Sequence, residues 1–176
     1  MRLATLAIVL VAVTSLICPS AFSAVPTNIK ASLRLANDSV VVGDVLHMTV
    51  AIRNTTAADC HLNIMVPYIS YPELKAVGTE SRYSWWAPPY DGPVVPKSIL
   101  LKPGQDYTLF GYTIKTTAEN TDGMGAAALG RLLGSSPSTN TGLLSTQSGT
   151  FTVKFKLSLD AVNVETEPKT FRVEKR

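Results

Sequence analysis

Apolar and polar residues alternate along much of this chain. In the clearest run, Phe151, Val153, Phe155, Leu157 and Leu159 are interleaved with polar residues. The same two-residue period recurs at 29–35, 46–53 and 60–64. Successive side chains of a β-strand point to opposite faces, so each run predicts a strand with one dry and one wet face.

The remaining segments complete an all-β pattern. Further strands are expected at 97–101, 106–115 and 169–174, with a shorter one near 81–86. Turn-forming sequences separate them, as at Val42-Gly43-Asp44 and Lys102-Pro103-Gly104. The pattern therefore predicts seven or eight strands in two antiparallel sheets packed face to face, a β-sandwich.

Four short phrases resemble those of bacterial immunoglobulin-like β-sandwich domains. They lie at 39–44, 54–56, 101–105 and 149–153, and the resemblance covers most of 29–173. It implies an immunoglobulin-like fold and no particular activity. Chagasin-like cysteine-protease inhibitors and small bacterial serine-protease inhibitors of the intracellular type are similar in strand pattern. The segment 54–57 lacks the Pro and Gly of the chagasin-like inhibitory loop, so inhibition stays a hypothesis without family membership.

The first 23 residues have the form of a secretory signal peptide. Arg2 precedes an apolar run at 3–17, and Ala21-Phe22-Ser23 places small residues where signal peptidase cleaves. The run is shorter than the ~20 residues of a spanning helix. Bulky Ile17 before Cys18 disfavours lipidation. We expect one periplasmic or secreted domain, 24–176, with no membrane insertion after cleavage.

Charge and cysteine content exclude several classes of protein. Lys and Arg number 16 against 13 Asp and Glu, and they are scattered, so a nucleic-acid partner is not expected. Cys60 is the single cysteine of 24–176, which excludes an internal disulfide. It falls in the apolar phase of its strand and is expected to be an inert buried residue rather than a nucleophile.

Candidate catalytic groups do not converge in the sequence. His47 and His61, the two histidines, occupy polar positions on strands that an immunoglobulin-like order places in opposite sheets. This separation argues against a metal site or a His-dependent triad. The acids are dispersed, and no known catalytic motif appears. We therefore expect no enzyme activity, metal or cofactor; a hydrolase built from distant carboxylates is the alternative.

A segment rich in proline and aromatic residues, 67–96, departs from the plain strand pattern. It holds Tyr83, Trp85, Trp86 and Tyr90. Such side chains often dominate binding energy, and their rings also stack on sugars. Adjacent tryptophans on a strand point to opposite faces, so at least one is expected in the core, and packing is the alternative to binding.

A second departure is the segment 116–149, predicted as a long inserted loop. It includes the run 124–133, expected to form about two helical turns after Asp122. The candidate binding residues in this run are Met124, Leu129, Arg131, Leu132 and Leu133. Their apolar side chains, with Leu143 and Leu144, need a surface to cover them. That surface is either the domain itself or a partner.

These features together predict an exported, non-catalytic protein-binding domain. Its expected role is that of an inhibitor, an immunity factor or an envelope-assembly partner acting through 116–149. The alternative is a carbohydrate-binding or adhesive module that uses the segment 83–90, with a glycan as its ligand.

Overall fold

A computed structural model describes residues 29–66, 70–78, 82–88, 92–134, 140–159 and 162–176. The expected signal peptide, 1–23, and Tyr90 lie outside these residues. The elements in chain order are β1 (Ile29–Leu35), β2 (Ser39–Val41), β3 (Val45–Asn54), β4 (Cys60–Val66), β5 (Pro72–Ala76), β6 (Tyr83–Trp86), β7 (Val95–Leu101), β8 (Asp106–Thr117), α1 (Ala126–Leu133), β9 (Thr141–Thr146), β10 (Gly149–Leu159), β11 (Val162–Glu165) and β12 (Lys169–Glu174).

The strands form two principal sheets and a ribbon. The first sheet has the order β1-β3-β8-β9-β6. The second is centred on β10, which pairs with β5, β11 and β12, and β12 in turn pairs with β2. Strands β4 and β7 pair with each other as a two-stranded ribbon. The predicted all-β class with packed sheets is confirmed.

The alternating runs bury one face of each strand, as predicted. Phe151, Val153, Phe155, Leu157 and Leu159 of β10 are all within 1% of full burial. The aromatic rings connect the sheets, because Phe155 meets both Phe110 and Tyr112 of β8 at centroid distances of 5.5 and 5.4 Å. The inner faces of the two sheets therefore share one core, as in a β-sandwich.

One side of the sandwich is closed by Thr166, between β11 and β12. Its backbone N–H donates to the Phe155 carbonyl at 3.0 Å, and its hydroxyl accepts the Phe155 N–H at 3.0 Å. The same residue bridges to Ala31 of β1 in the first sheet. The second sheet thus curls toward the edge of the first, which shields the core on that side.

The β4–β7 ribbon adds a further wall to the core. Cys60, Leu62 and Ile64 of β4 are buried and belong to the same apolar cluster as the sheets. The predicted inward orientation of Cys60 is confirmed. Burial raises the pKa of its thiol, which keeps Cys60 protonated and unreactive at neutral pH.

The segment 116–149 differs most from its prediction as a long loop. Strand β8 continues into it as far as Thr117, α1 follows, and β9 then pairs in parallel with β8. A parallel pair needs a crossover connection, and α1 lies in that crossover. The segment therefore adds a strand to the interior of the first sheet, and the short predicted helix begins at Ala126, after Gly125 rather than after Asp122.

The strand count and the strand directions also differ from prediction. The described residues contain twelve strands instead of seven or eight. Two pairs, β8 with β9 and β12 with β2, are parallel in a sandwich that was expected to be antiparallel throughout. Besides β9, the added strands are β2, β5 and β11, which have three to five residues, too few for a two-residue period to be distinctive.

A buried hydroxyl in the core yields a stability prediction. Tyr112 is 1% exposed, and its Oη has no hydrogen-bond partner among the described residues. Burial, with a smaller contribution from Tyr71, raises the pKa of Tyr112, which therefore stays neutral. Because an unsatisfied buried hydroxyl costs free energy, Tyr112→Phe should leave the free energy of unfolding unchanged or raise it by up to ~1 kcal/mol.

Tyr83→Phe is the matched control for this substitution. The Tyr83 hydroxyl donates to the Leu74 carbonyl at 3.3 Å, so its loss should cost about 0.5–1.5 kcal/mol. Urea denaturation of both variants measures the contrast. If Tyr112→Phe lowered the free energy of unfolding as much as Tyr83→Phe does, the Tyr112 hydroxyl would be hydrogen-bonded in solution.

Candidate functional site

The two segments that the sequence singled out separately lie side by side. Strand β6, from the aromatic segment, pairs antiparallel with β9, from the segment 116–149. In this register Trp85 is opposite Leu144, and Trp86 is opposite Leu143. Residues opposite each other in an antiparallel pair share a face of the sheet. The two segments are therefore adjacent strands at one end of the first sheet.

Trp85 faces the core of the sandwich. It packs against the apolar cluster that includes Leu144, and its ring lies 6.4 Å from that of Tyr112. The indole occupies the space above Gly142, where an added Cβ would lie 2.6 Å from Trp85 Cζ2. Glycine at this position thus makes room for the indole. Trp85 is a packing residue, one of the two roles considered for it.

Trp86 lies on the opposite face of β6, as expected for adjacent tryptophans. Its cross-strand neighbour Leu143 is 1% exposed yet is not part of the main core cluster. Helix α1 contacts β9, and its Leu129 is buried. We infer that α1 covers the outward face of β9, with Trp86 beside it. Trp86 itself remains half-exposed.

Helix α1 thus rests on its own domain while it keeps a solvent-facing side. Leu129 is 5% exposed, whereas Met124, Leu132 and Leu133 are half-buried. Arg131 is exposed, and its Nε donates to the Ala127 carbonyl at 3.3 Å. The apolar residues that the sequence left unassigned therefore divide: Leu129, Leu143 and Leu144 are internal, and the end of α1 is accessible.

A polar cleft of about 460 Å³ lies at the other end of β6. It is lined by three segments, the start of β6, the turn after β8 and the end of β9, through Arg82, Tyr83, Ser84, Ala118, Asn120, Asp122, Ser145, Thr146 and Gln147. Most of these side chains are polar and uncharged. Arg82 and Asp122 carry opposite charges, so the formal charge of the lining is zero.

Hydrogen bonds hold the turn after β8 against the two strands. The hydroxyls of Ser84 and Thr121 are hydrogen-bonded to each other, and the Ser145 hydroxyl donates to the Glu119 carbonyl. Gln147 Nε2 donates to the Ala118 carbonyl at 3.1 Å. The cleft walls are therefore fixed before any ligand arrives, which reduces the entropy lost on binding.

Sequence reasoning did not identify most of this cleft. In the sequence, Asp122 is notable only as a possible helix start, and nothing distinguishes Asn120 or Gln147 from other loop residues. The three lining segments are distant in sequence and meet only through the β6–β9 and β8–β9 pairings. Polar residues after two neighbouring strand ends would have been a usable signal, but β9 itself was not predicted.

The two histidines lie on strands of different sheets. His47 is exposed on β3 of the first sheet, and His61 is exposed on β4 of the ribbon. Within the described ranges, no three His, Cys, Asp or Glu side chains are placed to hold a metal ion. The same ranges contain no helix long and apolar enough to cross a bilayer.

A second cleft, over the outer face of β10, is lined by charged groups that bind one another. Lys154 Nζ lies 2.8 Å from Glu165 and 3.4 Å from Glu73, and Lys156 pairs with the same two carboxylates. Hydrogen bonding to Lys156 holds the pKa of Glu73 below its usual range, and hydrogen bonding to Glu165 raises that of Lys154. This network joins β5 and β11 to β10 and leaves its charges mutually neutralised.

The turn compared with an inhibitory loop has a structural role at Asn54. This side chain is fully buried, and its Nδ2 donates to the carbonyls of Ala58 and Leu101 at 2.8 and 2.9 Å. Its Oδ1 accepts the Thr56 N–H at 2.9 Å. Asn54 thus connects the β3–β4 turn to the ribbon.

No protein-family model matches the chain, and no curated protein matches it. Among solved structures, the sporulation control protein Spo0M of Bacillus subtilis aligns with a TM-score of 0.41 and 11% identity, over 85% of this chain and 50% of that one. A β-glucosidase of Erythrobacter marinus aligns with a TM-score of 0.37 and 10% identity, over 84% and 15%. The chain thus spans half of the first protein and a small part of the second.

Proposed function

We propose that this chain is an exported, immunoglobulin-like, non-catalytic domain that binds another protein, as an inhibitor, an immunity factor or an envelope-assembly partner. The observation that carries the proposal is the solvent-facing surface of α1 and β6. It consists of Arg131, Leu132 and Leu133 of α1 together with Trp86, which is paired with Leu143 on β9, the strand that α1 contacts, and we call it the α1–Trp86 surface. Its residues are exposed or half-exposed.

The composition of the α1–Trp86 surface suits protein recognition. Tryptophan and arginine are enriched among the residues whose truncation costs most at protein interfaces. The half-exposed Leu132 and Leu133 still have apolar area to bury, at about 25 cal/mol per Å². The surface offers one aromatic ring, one cation and two aliphatic side chains, the kinds of side chain that make up the apolar centre and polar rim of an interface.

The α1–Trp86 surface rests on the buried strand β9, so its backbone needs little rearrangement on binding. All of β9 after Thr141 is buried, between β8 and β6, and α1 packs against it through Leu129. A binding surface built on such a strand loses less conformational entropy than a projecting loop would.

The aromatic residues of β6 do not form a continuous surface on which a sugar chain could stack. Trp85 is committed to the core above Gly142. Trp86 faces outward, and Tyr83 lines the cleft at the other end of the same strand. Because the rings do not share one face, this arrangement favours the protein-binding function over an aromatic stacking module at 83–90.

The test uses affinity capture followed by a binary measurement. The wild-type protein and an Arg131→Glu/Trp86→Ala variant serve as baits for envelope and secreted fractions of the source cells. We expect a protein captured only by the wild type. With that protein purified, the double variant should bind at least about tenfold more weakly, because each residue removed is of a hot-spot type.

Arg34→Glu, at an exposed position on β1, is the matched control and should leave the affinity unchanged. Point substitutions are preferred to deletion of 118–147, because that deletion removes β9 from between β8 and β6 and would open the sheet. Equal capture and equal affinity for wild type and the double variant, with unchanged unfolding temperatures, would reject the α1–Trp86 surface.

A further inference from the structure

We propose that the polar cleft at the start of β6 binds a neutral saccharide unit of one or two rings. This site is separate from the α1–Trp86 surface and does not depend on protein binding there. The cleft lies at the Tyr83 end of β6, whereas Trp86 is the residue at the other end of that strand.

The size and charge of the cleft point to a small uncharged ligand. Its volume of about 460 Å³ falls in the range of small-molecule sites, roughly 300–1,000 Å³. Arg82 and Asp122 are its charged residues, and their opposite formal charges sum to zero. A phosphate or sulfate group would meet Asp122 without a second cation to offset it, so the lining disfavours an anion.

The lining offers both donors and acceptors, which a polyhydroxylated ligand requires. Asn120 Oδ1 accepts the Asp122 N–H at 3.1 Å, which directs this amide without using its Nδ2 donors. Gln147 donates through Nε2 to Ala118 and keeps Oε1 as an acceptor. Neither Arg82 nor Asp122 forms an ion pair within the part of the chain that the structure describes. A sugar hydroxyl both donates and accepts, so it can pair with either kind of group.

Tyr83 supplies a rigid aromatic wall. Its hydroxyl donates to the Leu74 carbonyl, and its ring meets Phe151 edge to face at 5.5 Å, yet the residue remains 37% exposed. The C–H groups of a pyranose ring pack well against such an aromatic surface. A peptide would need apolar pockets for its side chains, and besides Tyr83 the lining has one apolar residue, Ala118. The cleft chemistry thus favours a saccharide over a peptide.

The test follows backbone amide signals of the purified protein by NMR. The probes are cellobiose, maltose and diacetylchitobiose at millimolar concentration, with glycylglycine and inorganic phosphate as comparators. We expect at least one sugar to shift the signals of 82–84, 118–122 and 145–147 in a saturable manner. Asp122→Ala should weaken the binding of that sugar about tenfold, because the substitution removes a charged hydrogen-bond acceptor.

The control is Asp59→Ala, which removes an exposed acid from the β3–β4 turn and should leave sugar binding unchanged. The Arg131→Glu/Trp86→Ala variant should also bind the sugar normally, so failure of protein binding and failure of sugar binding are distinguishable. The proposal is overturned if no sugar shifts the cleft signals, if the shifts survive Asp122→Ala undiminished, or if glycylglycine or phosphate occupies the cleft instead.

Discussion

Replacing Phe155 by alanine should destabilise the domain more than any other substitution considered for this chain. Phe155 is fully buried at the centre of β10, and its ring contacts Phe110 and Tyr112 of the opposite sheet. Truncation removes the buried area and leaves a cavity between two sheets that cannot easily collapse onto it. The expected loss is about 3–5 kcal/mol in the free energy of unfolding.

Such a loss is large against the ~5–15 kcal/mol of total stability typical of a domain. Urea denaturation monitored by circular dichroism measures it, with an unchanged m-value showing that the denatured state is the same. Leu100→Ala is the matched control. Leu100 is 44% exposed on β7, so its truncation should lower the free energy of unfolding by less than about 1 kcal/mol. Similar losses at Phe155 and Leu100 would contradict the described core.

The second large effect is expected at Gly142, through steric conflict with Trp85. A Cβ at this position would lie 2.6 and 2.7 Å from indole carbons Cζ2 and Cζ3, closer than real Cβ contacts allow. Gly142 does not have a positive φ, so the effect of the substitution on stability depends on the steric clash alone. Gly142→Ala must therefore displace Trp85 from the core, at an expected cost of about 1–3 kcal/mol.

Gly111→Ala, on the neighbouring strand β8, separates this clash from a general glycine effect. Its added Cβ would meet nothing closer than the Met48 carbonyl at 3.7 Å, so little change is expected. A double-mutant cycle with Trp85→Ala supplies a second check. Because the indole is absent in that background, adding Gly142→Ala should cost much less there. Fully additive losses would show that the two residues do not conflict.

The role of Gly142 also shows why the aromatic segment could not be assigned from sequence alone. Adjacent tryptophans on a strand had to face opposite ways, and they do. Which of them turned inward depended on a glycine that lies far along the chain and faces the core beside Leu144. Nothing within 83–86 encodes that partner.

Of the candidate sites, the sequence identified the residues of α1 and β6 but could not show that both lie beside the same strand, β9. Both contact β9, whose Thr-Gly-Leu-Leu-Ser-Thr run has no alternation because both of its faces are buried. An interior strand of this kind resembles a loop to any analysis that depends on a two-residue period. The polar cleft was missed for the same reason, since it exists only where β9 ends.

The sequence by itself determined the all-β class, the strands with one buried face and the inward turn of Cys60. These features follow from a local rule, because alternation records which face of a strand is shielded from water. Only the tertiary structure decided the place of β9, the parallel pairs, the inward Trp85 and the meeting of three distant segments around the cleft. Those depend on contacts between residues far apart in the chain, and such contacts form through the packing of whole sheets rather than through any local pattern.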